Sequence, residues 1–341
     1  MSMGVSVVIC CHNSAKRLTE TLRHLAAQKV PGDIPWEVVV IDNASTDDSA
    51  DVAQECWPAN HPAPLRVVTE TQAGLSHARI RGIAEARHEI VSFIDDDNWA
   101  AADWIERVAT IFASHPEVGA CGGRIEEVCE ITPPDWFKSV KIHYAVGSQH
   151  NQSGDITDTS GTLLCGAGLS LRTAGVRKLL GEGFAFMMSD RKGNSLSSGG
   201  DTELCFALRA SGWRFWYDDD LFLQHFIPKE RLRWDYAVRL MRGLGEASAF
   251  FVVYLIALNA PPYDRRPAWK KSWGFQMLKT LQQLAKIIVS HPIDSLSQKE
   301  GLLPALRFKQ FSSQLATLWS LSGSFDEISD SIRRAPWVKR S

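Results

Sequence analysis

The sequence predicts an α/β protein, with a mostly parallel sheet, helices on both of its faces and a helical C-terminal region. Three observations carry this reading. Strand-like apolar runs alternate with helical periodicities through the first hundred residues, the pattern of a parallel sheet wound with crossover helices. The apolar run Ile90–Ile94 opens directly into Asp95, Asp96 and Asp97. From about Pro228 the strand signals stop and long helical periodicities take over.

The elements follow in order. Val5–Cys10 is an apolar run with no basic segment before it, a first strand and not a signal peptide. Asn13-Ser14 offers a helix cap, and Leu18, Leu22 and Leu25 then recur at helical spacing. Glu37–Ile41 is a second strand ending in Asp42, with Ser45 and Asp48 at capping-box spacing for the next helix. Leu65–Thr69 is a third strand, Gly74–Arg87 a helix, and Ile90–Ile94 the fourth strand. Ligands of such sheets lie beyond the carboxyl ends of the strands, where strand order reverses. That gathers Asn13, Asp42 and Asp95–Asp97 around one crevice.

The middle is less regular. Val118–Cys121 and Arg124–Val128 read as strands flanking Gly122-Gly123, and residues 132–161 as a long polar loop, a length that is usually functional or disordered. Thr162–Gly168 leads through Leu169–Leu171 to a helix, and a glycine-rich stretch, 192–200, precedes a helix opening on Asp201. Trp213–Tyr217 and Leu221–Leu223 read as strands joined by a hairpin turn at Asp218–Asp220. The tail reads as helices over roughly 230–258, 268–290 and 302–321.

Composition is that of an ordinary globular chain, and 341 residues suffice for a catalytic-size domain, 1–228, and an appendage, 229–341. The net charge of −2 hides an asymmetry. Residues 1–228 hold 19 Lys and Arg against 30 Asp and Glu, whereas 229–341 hold 18 against 9. A basic appendage invites contact with something anionic. Seven scattered cysteines without zinc spacing fit a reducing, cytoplasmic setting. No uninterrupted apolar run reaches the roughly 20 residues of a membrane span; the longest is Ala247–Ala260.

Three adjacent carboxylates repel one another and resist desolvation, so they either stay solvated or meet a cation. Oxygen ligands suit Mg²⁺ or Mn²⁺, typically with one or two carboxylates plus substrate phosphates. Asp218–Asp220 is the competing triplet, most simply a solvated turn. Asp201 has two readings: with Ser198 it has capping-box spacing, and as a carboxylate at the lip of a pocket it suits a general base. His225 and Arg231 flank the seam between body and tail. Each alone is ordinary, but together they suit a metal ligand and a diphosphate clamp.

These motifs occur in the order found in family 2 glycosyltransferases of the GT-A fold, which the chain resembles. The matching residues are Val5–Asn13, Val38–Asp48, Gly74–Arg79, Phe93–Asp97, Gly166–Gly168, Gly200–Leu204 and His225. The resemblance implies an inverting transferase that moves a sugar from a nucleotide-sugar donor, a UDP-sugar first, to a glycan or lipid-linked hydroxyl in polysaccharide or glycoconjugate synthesis. It implies Asn13, Asp42, Arg79, Asp95, Asp96 and Arg231 on the donor, and Asp97 of the DXD motif with His225 on Mn²⁺ or Mg²⁺. Asp201 is then the base, with Gly168 and Glu203 on the acceptor side. Gly200 departs from the family's usual Glu and Ile80 from its usual Asn. The rival readings are a nucleotidyltransferase, whose usual basic glycine-rich loop after the first strand is not what His12-Asn13-Ser14-Ala15 offers, and a non-catalytic nucleotide-sugar binder, which Gly200 favours. The stretch 192–200 suits a lid. Residues 268–290 read either as a helix packed on the body or as a helix lying on an anionic membrane, which would make the protein peripheral.

Overall fold

The computed structural model describes residues 3–159, 164–188, 196 and 199–340. The first half alternates β1 (Val5–Cys11), α1 (Ala15–Ala26), β2 (Trp36–Asn43), α2 (Ser49–Cys56), β3 (Leu65–Glu70), α3 (Leu75–Glu85) and β4 (Ile90–Phe93). Then come β5 (Asn98–Ala100), α4 (Trp104–Ser114), β6 (Val118–Cys129), a short α5 (Phe137–Val140), β7 (Gly154–Asp155), β8 (Ser170–Arg172) and α6 (Thr173–Gly181). The rest is α7 (Gly200–Ala210), β9 (Arg214–Ile227), α8 (Trp234–Ala257), α9 (Trp273–Ser290), α10 (Leu303–Ser320) and α11 (Phe325–Arg334). The last helix was not foreseen; its short polar sequence carries no long apolar run.

The strands form one mixed sheet, ordered β3-β2-β1-β4-β8-β6-β9-β5, with β7 on β9. Pairing is parallel from β3 to β4 and again between β6 and β9, and antiparallel at β8, β5 and β7. β1 is central and buried on both faces, which its unbroken apolar run requires. Val7 and Ile9 face a core shared with Leu18, Leu22 and Leu25 of α1 and Trp104 and Phe112 of α4. Val8 faces the other core, with α3, α6 and α7. The outcome is three layers. Because β1 lies between β2 and β4, the ends of these strands open the crevice beside which the Asp95–Asp97 turn sits.

Two local readings change. β6 is a single strand, and so is β9: Asp218–Asp220 is no hairpin turn but a bulge inside β9. Gly123 pairs with Asp218 while Arg124 pairs with Phe222, so three β9 residues have no opposite number. Tyr217 donates to Asp219 across 2.7 Å, and Arg107 lies 3.8 Å from both Asp218 and Asp220. The triplet is thus a paired surface bulge. Neither expected cap forms. Ser14 spends its hydroxyl on Asp96, and α2 starts after Asp48 without a side-chain cap.

The tail helices pack on the body through α8, which lies against α7, and through the segment after α11, where Trp337 meets Phe184 and Ser211. Gly245 lets α8 cross α10 closely, since a side chain there would meet the Gln310 carbonyl. At 24 residues α8 is long and apolar enough to cross a membrane by length and composition, which corrects the sequence count. Its Ala249, Val253 and Tyr254 are nonetheless buried against the body.

A Cβ on Gly123 would collide with the carbonyl oxygen of Leu221 in the bulge. Gly123→Ala is therefore expected to cost about 2 to 3 kcal/mol, read as a lower urea midpoint.

Candidate active site

A cleft of about 460 Å³ opens at the carboxyl ends of β1, β2 and β4. Its walls are completed by the turn at Gly166, the start of α7, the end of β9 and one face of α8. The Asp95–Asp97 triplet forms its floor, and the fold gives each carboxylate a different environment. Asp95 is half-buried, and its turn closes on Asn98: the Asp95 N–H donates to Asn98 Oδ1 at 3.2 Å, and the Asn98 N–H donates to the Asp95 carbonyl at 3.0 Å. Asp96 is 8% exposed, accepts from Ser14 Oγ and lies 2.6 Å from Arg17, so it pins the start of α1 to the end of β4. Asp97 is 2% exposed and points the other way.

Asp97 Oδ2 lies 2.9 Å from Arg231 Nη1, and its Oδ1 lies 3.5 Å from His225 Nε2. Strand register explains the meeting, because β5 runs antiparallel to β9 with Asn98 opposite His225. Arg231 is fixed from behind, where Tyr144 donates to its carbonyl at 3.1 Å. Burial opposes ionisation of Asp97, but the charges of Arg231 and His225 outweigh it and hold the carboxyl far below the usual range. Burial likewise opposes the Arg231 charge, and Asp97 more than restores it. His225 Nδ1 is buried with no hydrogen-bond partner.

On α7, Asp201 lines the cleft at the second helical position. Its Oδ2 accepts the Gly166 N–H at 2.6 Å and its Oδ1 the Thr202 N–H at 2.9 Å, and the cap position is Gly199 with no side-chain bond. The carboxylate does bind backbone donors, yet not as the expected capping box, whose Ser198 lies outside the described residues. Gly166 has a steric role here. A Cβ on it would come 2.6 Å from Arg79 Nη2 and 3.0 Å from Asp201 Oδ2, so glycine lets the buried Arg79 and Asp201 approach the same turn.

Four expectations shift. Asn13 is exposed, has φ of 51°, and accepts from Thr46 N–H at 2.8 Å; it ties two loops together and does not line the cleft. Gly168, at φ of 75°, is packed under Trp104 and Leu223 and does not line the cleft. Glu203 is fully buried, accepting the Met187 and Met188 N–H groups at 3.0 and 3.1 Å and the Tyr254 hydroxyl at 3.0 Å. It is a tie between α7 and α8, because two residues along a helix turn the side chain to the far side. Asp42 stands just outside the lining, with a buried Oδ1 that has no partner.

Residues not foreseen do line the cleft. Asn43 accepts from the Gly74 N–H at 2.8 Å and fixes the start of α3, and His12 Nδ1 sits 2.8 Å from the Asn43 carbonyl. The supposed loop 132–161 contributes Ile142–Ala145, and α8 contributes Tyr236, Leu240, Leu244 and Phe251. Nothing in the local pattern marks these; they arrive by long-range packing. The proposed lid falls mostly outside the described residues, apart from Leu196, Gly199 and Gly200.

Arg231→Met should cost about 3 kcal/mol, because it strands the Asp97 charge in a dry site. The double variant with Asp97→Asn should recover part of that loss, checked by urea denaturation.

The comparisons agree with this geometry. The profile described as "Glycosyl transferase family 2" matches residues 6–165. The glucosyl-dolichyl phosphate glucuronosyltransferase of Haloferax volcanii is 26% identical over 155 residues, 45% of this chain and 48% of the relative. Glycosyltransferase AglE of the same organism is 32% identical over 123 residues, 36% of this chain and 39% of the relative. The chain thus spans less than half the length of these curated relatives. A solved mannosyltransferase, PcManGT from Pyrobaculum calidifontis in complex with GDP-Man and Mn²⁺, superposes with a TM-score of 0.57 at 19% identity, covering 94% of this chain and 88% of that one. That likeness shows the fold. With its α/β/α layers the chain carries a GT-A-like fold, and residues 6–165 match the family 2 glycosyltransferase profile.

Proposed function

We propose that the chain is an inverting glycosyltransferase that moves a sugar from a nucleotide-sugar donor, a UDP-sugar first, to a hydroxyl of a glycan or lipid-linked acceptor. The observation that carries the reading is one cleft lined both by the Asp97–His225–Arg231 cluster and by Asp201. A diphosphate needs fixed positive charge as it leaves, and Arg231 offers it in a dry, preorganised position. Arg17 and Arg79 also line the cleft. The unpartnered Asp42 oxygen stands by β2, where a base would be read at its edge.

A divalent ion fits the donor set. Asp97 and His225 would hold Mn²⁺ or Mg²⁺ as one oxygen and one nitrogen ligand, with phosphate oxygens completing the shell. Among the described residues no group of three or more His, Cys, Asp or Glu comes together for an ion, so the donor's own oxygens are required. When bound, the ion supplies positive charge at the diphosphate.

The reaction asks two further things of the chain. Asp201 takes the proton from the acceptor hydroxyl as its oxygen forms the new bond to the anomeric carbon. The bond from that carbon to the diphosphate breaks on the opposite side, which inverts the centre. The Gly166 and Thr202 N–H groups keep the Asp201 carboxylate oriented. The scattered cysteines fit a reducing compartment, and we place the protein on the cytoplasmic side, peripheral to a membrane.

Asp201→Asn is expected to lower turnover by about 10²- to 10⁴-fold while nucleoside diphosphate binding changes by less than about twofold. Asp97→Ala should abolish both slow donor hydrolysis in the absence of acceptor and the Mn²⁺-dependent rise in melting temperature with nucleoside diphosphate. Ligand binding with no released sugar from the unaltered chain, with or without acceptor, would leave a non-catalytic binder instead.

A further inference from the structure

Among the described residues ten large apolar side chains are well exposed, and eight of them lie between Trp269 and Trp319. This is a concentration, not the scatter normal for a protein surface. Four of the eight lie on α9 and share one side of it. At about 100° per residue, Leu278, Leu281, Ala285, Ile288 and Val289 share one arc of the helix. Met277, Thr280 and Leu284 occupy the adjoining arc, and these three are buried. The apolar sector of α9 is therefore wider than the body covers. Its outer part continues past the helix end into Ile293, 82% exposed, and Leu296, 61% exposed.

The surroundings are basic. Residues 264–299 hold seven Lys and Arg against two Asp. Lys286 and Lys299 are exposed, and on the helical wheel Gln282 and Lys286 border the apolar arc. In the short turn before α9 stands Trp269, 61% exposed, with Lys270 above its ring at 5.0 Å. Apolar side chains, an exposed tryptophan and a flanking cationic belt match an anionic bilayer, whose headgroups attract the lysines while its acyl boundary receives the apolar ridge.

We propose that this face of α9, with the turn after it, docks the protein on an anionic membrane surface. The docking does not depend on the chemistry in the cleft. It also divides the two sequence readings of 268–290 between the sides of one helix: Met277 and Leu284 pack on the body, and Leu281 and Val289 face outward.

The test is sedimentation of the full chain with vesicles of mixed phosphatidylglycerol and phosphatidylcholine, against phosphatidylcholine alone. The expected result is binding to the anionic vesicles that weakens about tenfold or more when salt is raised from about 0.1 to about 0.5 M. The triple variant Leu281→Gln, Val289→Gln, Ile293→Gln should lose it, and Lys286→Glu with Lys299→Glu should weaken it. Both variants alter exposed side chains, so an unchanged melting temperature shows that the fold is intact. No sedimentation, or equal binding to neutral vesicles, overturns the proposal. So does a concentration-dependent dimer in analytical ultracentrifugation that the triple variant abolishes, for then a second copy covers the face.

Discussion

The structure depends on how one buried charge is held. Asp97 is nearly sealed from solvent, and a lone carboxylate there would be untenable. Arg231 compensates it, and Arg231 comes from the chain just beyond β9, where the body passes into the tail helices. The pair therefore does more than neutralise a charge: it fixes how the end of β9 and the start of the tail sit over the crevice. The register of β5 on β9 then brings His225 to the same carboxylate. The cationic end of the cleft follows from this single requirement.

The same economy governs the neighbouring acids. Asp96 goes to Arg17 and Ser14 at the head of α1, and Asp95 stays at the turn beside the cleft. Three like charges coexist because successive residues leave the strand end in different directions, each toward its own partner. Glu203 shows the complementary case. Two backbone N–H groups and a tyrosine hydroxyl donate to it, so its burial serves architecture, joining the helix that carries Asp201 to α8.

Much of the site was legible in the chain. A run buried on both faces has few alternatives to a central parallel strand, and a carboxylate triplet at its end falls where the sheet opens. Asp97, His225, Arg231 and Asp201 were singled out from local context and Arg79 by the resemblance, and one cleft contains them all. Asn13, Gly168 and Glu203 were misplaced for a common reason. Adjacency in sequence gives proximity to the cleft but not direction, and a loop tether, a tight packing glycine and a buried tie look the same in a string as ligands do.

The sequence by itself determined the order of strands and helices in the first half, the parallel start of the sheet, the position of the acidic turn and the change to helices near residue 228. These rest on periodicity and on short-range backbone preferences, which neighbouring residues encode. Only the tertiary structure decided that β9 runs unbroken through its acidic bulge, that Asn43, His12 and residues 142–145 line the cleft, and which part of α9 stays uncovered. Each of those depends on contacts between residues far apart in the chain. Their free energy comes from burial and pairing in three dimensions, and no local pattern records it.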